Sequence, residues 1–175
     1  MPSPVGHALG ALAVGWVVAG PAPRGARLAQ GLWIGALGVA ADLDLLIGRH
    51  SMETHSVGAA VIAGAIAAAC RLPLASTRTR TFLTATLAWL THPLLDALGA
   101  DTSVPLGVML FWPFSTDHVL IARVFDGISR QWWHEDFVRH NLLAALREVM
   151  RIGPFTLVAW IVARRAARTL DQPIA

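Results

Sequence analysis

Charge is scarce in this chain: only 14% of its 175 residues are Asp, Glu, Lys or Arg, and lysine is absent altogether. A soluble domain carries about a quarter of its residues as charges, so there is too little polar surface here to coat a water-soluble globule. One cysteine, Cys70, excludes an internal disulfide and a cysteine-rich zinc site; it sits in an apolar run and reads as packing. The net charge is +3, yet no basic stripe interleaved with aromatics is visible, so no direct nucleic-acid binding is expected. No nucleophilic Ser or Cys motif stands out either.

What is there is apolar: 55% of the residues are hydrophobic and mean hydropathy is +0.55. Runs at Val5–Gly20, Leu28–Ile47, Ser56–Cys70, Phe82–Leu98 and Ile152–Ala163 predict an all-α, polytopic membrane bundle of four to five helices. Most fall short of the ~20 apolar residues a span requires, so they must extend into polar flanks. Gly6–Gly10 and Gly31–Gly35 are each four apart, a spacing that puts small residues on one helix face and lets helices approach closely in lipid. The first run has its arginines, Arg24 and Arg27, after it rather than before, the reverse of a signal peptide. It reads as a retained helix.

The arginines map a topology. Arg24 and Arg27 lie between the first two runs, Arg71, Arg78 and Arg80 between the third and fourth, and Arg164, Arg165 and Arg168 after the fifth. By the positive-inside rule these clusters are cytoplasmic and the N-terminus is outside. The whole reads as one domain, 1–175: a core at 1–99, an outer segment at 100–151, and a last helix with a basic tail at 152–175. The outer segment carries the aromatic groups Phe111–Phe114 and Trp132–Trp133. Asp136–Met150 reads as an amphipathic helix with Phe137, Leu142, Leu146 and Val149 on its apolar side and Arg139, Arg147, Glu148 and Arg151 on its polar side.

Ionisable side chains inside or at the ends of apolar helices are costly and are functional suspects by default. They are His7, Asp42, Asp44, His50, His55, His92 and Asp96, and the arginine map brings all of them to the outer side. His92 and Asp96, four apart, share a helix face, so they can bind one metal ion together or pair as ligand and orienting carboxylate. The plainer reading of that pair is an intrahelical hydrogen bond. Asp42 and Asp44, two apart, would diverge on a helix; both serve one site only if the helix ends there or one of them supports a ligand. Nitrogen and oxygen donors without cysteine suit zinc, manganese or iron. His118, His134, Glu135, Asp136 and His140 are weaker candidates in the outer segment. Pro93 is expected to disturb its helix, freeing the Trp89 carbonyl.

The order and spacing of these motifs resemble a known family. They are Pro-x-x-x-His-x-x-x-Gly around His7, Ala41–Asp42–Leu43–Asp44, His50-x-x-x-Thr54–His55–Ser56, His92-x-x-x-Asp96 and Trp112–Pro113–Phe114–Ser115. The chain looks like the bacterial inner-membrane metal-dependent hydrolases, also described as LexA-regulated or LexA-binding, over roughly its first two-thirds. That family is thought to be distantly similar to zinc-dependent phospholipase C and to single-strand nucleases. Two departures are visible: Ala41 stands where proline is common, and Ser51 where an arginine usually follows the first histidine of the loop.

The resemblance implies an enzyme of the cell inner membrane that hydrolyses phosphate esters through metal-activated water, and the outer position of the site suggests a lipid or lipid-linked phosphate as substrate. The resemblance maps the ligands to His7, Asp42, Asp44, His55, His92 and Asp96, while the residues themselves favour His7, Asp42, His55, His92 and Asp96 as the set that would hold the ion, zinc first with Mn or Fe as alternatives. Asp44 would be a supporting or general-base carboxylate, and His50 would assist the leaving group. Rival expectations are a non-catalytic adaptor for a cytoplasmic regulator protein, or a small transporter with a His/Asp relay.

Overall fold

The computed structural model describes residues 1–170 except 49 and 103, and the backbone alone at 169 and 170. It is all-helical: α1 Pro4–Ala19, α2 Arg27–Val39, α3 Val57–Ala69, α4 Arg78–Ala97 and α5 Phe137–Leu170. Among the described residues the only β pairing is two isolated bridges, Gly99–Phe125 and Val108–Val119.

Local chemistry starts each helix where the sequence allows it. Ser3 Oγ accepts the Gly6 N–H at 3.2 Å ahead of α1, with Pro4 at the first helical position. Ser56 caps α3 through Ala59 N–H at 3.0 Å, and Thr77 caps α4 through Arg80 N–H at 3.2 Å. α2 does not stop at its end; it tightens into a 3₁₀ helix, Ala40–Ile47, closed by Gly48 in the left-handed conformation at φ +70°.

α1 is the hub and packs on α2, α4 and α5, while α3 packs on α4. Glycine makes the close approaches possible. A Cβ on Gly15 would lie 2.4 Å from Ile34 Cγ2, and one on Gly38 would lie 2.7 Å from the His7 carbonyl. Gly6 and Gly10 face Glu148 and Leu95 as tightly, as their four-residue spacing predicts. The Gly31–Gly35 pair differs: a Cβ there would make only ordinary contacts, 3.5 Å from Trp16 and 4.0 Å from Ala8. Gly38, not Gly31 or Gly35, is where α2 requires glycine.

Two expectations about the C-terminal third are corrected. The helices expected at Asp136–Met150 and from Ile152 onward are one helix, α5, running through Pro154. The proline removes one i→i−4 bond, but packing on α1 holds both sides; Thr156 Oγ1 donates to Leu9 O at 3.0 Å. The amphipathic reading of this helix holds for Arg139, Arg147 and Arg151, which are exposed, and fails for Glu148 and for the apolar side. Leu142 and Leu146 are 67% and 52% exposed, whereas Ala144, Glu148 and Ile152, spaced four apart, are buried. α4 likewise runs through Pro93 without a break.

The stretch between α4 and α5 covers one end of the bundle. Val57 and Gly58 N–H bond to Leu110 and Trp112 carbonyls at 2.9 and 3.0 Å, and Ile121 N–H bonds to Ala97 O at 2.7 Å. It is thus fastened to the start of α3 and the end of α4. Among the described residues one helical stretch, Arg24–Ile47, is long and apolar enough to cross a membrane; Pro4–Ala19 and Val57–Ala69 are apolar but shorter.

Candidate metal centre

The hub geometry gathers the first turn of α1, the 3₁₀ end of α2, the loop into α3 and the last turns of α4 at one end. That brings together all of His7, Asp42, Asp44, His50, His55, His92 and Asp96. Three-residue turns explain how Asp42 and Asp44 serve one site: in a 3₁₀ helix positions two apart differ by about 120°, so they reach opposite sides of one imidazole. His55 Nε2 lies 3.6 Å from Asp42 Oδ1 and its Nδ1 lies 3.1 Å from Asp44 Oδ2.

The proton positions follow from partners. His92 Nδ1 is 2.7 Å from the Gly38 carbonyl, which can only accept, so Nδ1 carries a hydrogen, and Nε2 holds a lone pair when the ring is neutral. His55 Nδ1 meets Asp44 and, at 3.0 Å, Thr54 Oγ1, which spends its own proton on Asp44 Oδ2 at 2.6 Å. His55 Nδ1 is therefore also the donor. The two Nε2 atoms then face one another at 3.1 Å. With both rings neutral, two lone pairs at that distance repel unless a metal ion or a proton lies between them.

Carboxylates complete the set. Asp42 Oδ1 is 3.5 Å from His92 Nε2, and Asp96 Oδ2 is 3.3 Å from His92 Nε2 and 3.4 Å from His55 Nε2. Four donors at about 2.05 Å around a tetrahedral ion stand about 3.3 Å apart. Five of the six separations among these donors, 3.1 to 3.6 Å, bracket that value, and the groups close enough to share one ion include His55, His92 and Asp96, and His7, Asp42 and His92. Both oxygens of Asp96 are buried against the ring nitrogens of His7, His55 and His92, so a charged carboxylate there needs a positive partner, a metal ion or a protonated imidazole. These residues could hold a metal ion. Protons can supply the same positive charge: burial disfavours charged His55, but its neighbours Asp42 and Asp44 outweigh that and raise its pKa above the usual histidine value.

The remaining residues divide by position. His7 stacks on His92 with centroids 3.7 Å apart, and its Nε2 faces the other oxygen of Asp96 at 3.4 Å. Asp44 is bonded to His50, His55 and Thr54, so of the roles expected for it the supporting one fits. His50 and Asp42, 12% and 23% exposed, open onto a cleft of about 800 Å³ whose walls include Thr102, Asp126, Arg130 and His140.

Of the weaker candidates, none joins the cluster. His134, Glu135 and Asp136 are exposed, and His140 is bonded to the Gly127 carbonyl at 2.7 Å. Sequence reasoning missed Glu148, which is 1% exposed and accepts the Ser3 N–H at 2.9 Å and the Ser3 hydroxyl. Its signal was the buried stripe through Ala144 and Ile152. It also missed Arg130, which carries no motif.

Comparison with protein families finds a match along nearly the whole described chain: the model for the YdjM inner membrane protein covers residues 1–170. The chain belongs to the YdjM family. That membership establishes a protein of an inner-membrane family and accords with the apolar Arg24–Ile47 helix. No curated protein and no solved structure matches the chain. The match itself carries no link to hydrolysis or to LexA.

Proposed function

We propose that this YdjM-family protein is a multi-pass membrane hydrolase that uses one zinc ion to cleave phosphate esters of lipids or lipid-linked molecules. The carrying observation is the clustering of His55 Nε2, His92 Nε2, Asp42 Oδ1 and Asp96 Oδ2, with the two imidazole nitrogens 3.1 Å apart. A divalent ion bound there would polarise a phosphoryl oxygen and lower the pKa of a water molecule toward ~7.

The chain's own groups do the rest. Gly38 O and Asp44 fix the ring orientations of His92 and His55. Asp42 lies on the cleft side of the cluster, where substrate enters. His50, held by Asp44 at 3.2 Å, is placed to handle protons at the mouth. In hydrolysis the water oxygen bonds to phosphorus and the ester P–O bond breaks; the leaving alcohol takes a proton from His50, replaced by the one water releases. Arg130 forms no ion pair among the described residues, whereas Asp126 on the same wall is paired with Arg147 at 3.1 Å. That leaves Arg130 as the cationic contact for a phosphate.

Multi-pass insertion is supported by the large side chains turned outward on several helices: Val17, Leu32, Ile66 and Phe155 are 57 to 71% exposed. The short helices α1 and α3 would span by continuing into the polar segments beside them. The arginine clusters sit at the end opposite the His/Asp centre, as Arg27 against the Ala167 carbonyl illustrates, which favours a periplasmic centre by the positive-inside rule. The test is hydrolysis of phosphodiester and phosphomonoester lipids in detergent with zinc or manganese restored after chelation. Metal-loaded protein that cleaves none of them would sink the hydrolase reading.

A further inference from the structure

A second site lies at the other end of the molecule. Trp16 is nine residues beyond His7 on α1, about 14 Å along the axis. There α2 and α5 stand on either side of α1 and leave a groove of about 520 Å³. Its floor and walls are apolar, with Leu12 and Trp16 from α1, Leu28 from α2 and Trp160 from α5. Three arginines rim it, Arg24, Arg27 and Arg164, and no acidic residue lines it.

The cations are set, not merely near. Arg27 is braced across the groove end, its Nε donating to Ala22 O at 3.0 Å and its Nη2 to Ala167 O at 3.4 Å. Arg164 lies over the Trp160 ring, 4.5 Å from the centroid. Neither Arg24 nor Arg164 pairs with a carboxylate among the described residues. The N-terminus of α2, which begins at Arg27, adds its partial positive charge. A slot that is apolar along its length and cationic at one end matches one chemistry: an anion joined to a hydrocarbon chain.

We propose that this groove binds an anionic glycerophospholipid, headgroup phosphate on Arg24, Arg27 and Arg164, with an acyl chain along Leu12, Trp16 and Trp160. Basic pockets between helices recognise anionic headgroups in this way. The site is independent of the metal centre and of any hydrolytic activity.

The test uses purified full-length protein in a non-ionic detergent, with phosphatidylglycerol and phosphatidylcholine as probes. Native mass spectrometry should show one phosphatidylglycerol retained at concentrations at least about tenfold below those needed for phosphatidylcholine, and phosphatidylglycerol alone should raise the thermal midpoint. The double variant Arg24→Gln/Arg164→Gln should lose that preference while keeping its helical circular dichroism. Arg164→Lys should retain much of it. Equal retention of the two lipids, or an unchanged preference in the double variant, would overturn the proposal. So would a Leu28→Cys variant that cross-links to a second copy while excluding lipid, since the groove would then be an interface.

Discussion

Glu148 accepts the Ser3 backbone N–H at 2.9 Å across 145 residues of chain. Ser3 is also the N-cap of α1, so one carboxylate on α5 fixes the turn that carries His7. The absence of a side chain at Gly6 makes room for it: a Cβ there would fall 2.6 Å from Glu148 Oε2.

Glu148→Ala should therefore destabilise the fold by about 2–4 kcal/mol, because it leaves buried donors at Ser3 without a partner. Glu148→Gln, which keeps an acceptor, should cost less. Unfolding in detergent followed by circular dichroism measures both; an alanine variant as stable as the parent would contradict the proposed role of this contact.

The metal centre makes a stoichiometric prediction. Purified protein should carry about one divalent ion, and His92→Ala or Asp96→Ala should lose it while still inserting into membranes. Asp44→Asn, which disturbs the support of His55 and of His50, should weaken affinity by about 10- to 100-fold. His134→Ala should change nothing. Elemental analysis and competition with a chelating dye decide it, and full occupancy in both the His92 and Asp96 variants would return the cluster to a hydrogen-bonded packing role.

Activity should separate binding from chemistry at Arg130. If the cleft receives a phosphate ester, Arg130→Gln should raise KM about tenfold or more, the scale of one lost charge-assisted contact, with metal content unchanged. His50→Ala should instead lower kcat by about 100-fold or more. Steady-state kinetics on a phosphodiester lipid distinguish the two, and an Arg130 variant with unaltered KM would remove it from the substrate's path.

Orientation is open to a direct measurement. A reporter active only outside the cytoplasm should work when fused after Asp101 and fail when fused after Arg78. The reverse pattern would place the His/Asp centre on the cytoplasmic side and bring a regulator-binding role within reach.

Much of this was legible in the chain by itself. Scarce charge and long apolar runs determine a membrane-type helical protein, because such a composition cannot solvate its own surface. The seven His and Asp residues were recognisable one by one, since ionisable groups are expensive at apolar helix ends and stand out there.

Only the tertiary structure decided which atoms meet. The opposition of His55 and His92 depends on the Gly38 carbonyl turning one ring and Asp44 turning the other, contacts that span distant segments and leave no periodic trace. The inward face of α5 was misread for a related reason. Amphipathic patterning assumes water outside, whereas here Leu142 faces outward and Glu148 faces α1. Which face of a helix is interior depends on what surrounds the bundle and on the neighbour it meets, and neither is encoded in the helix's own residues.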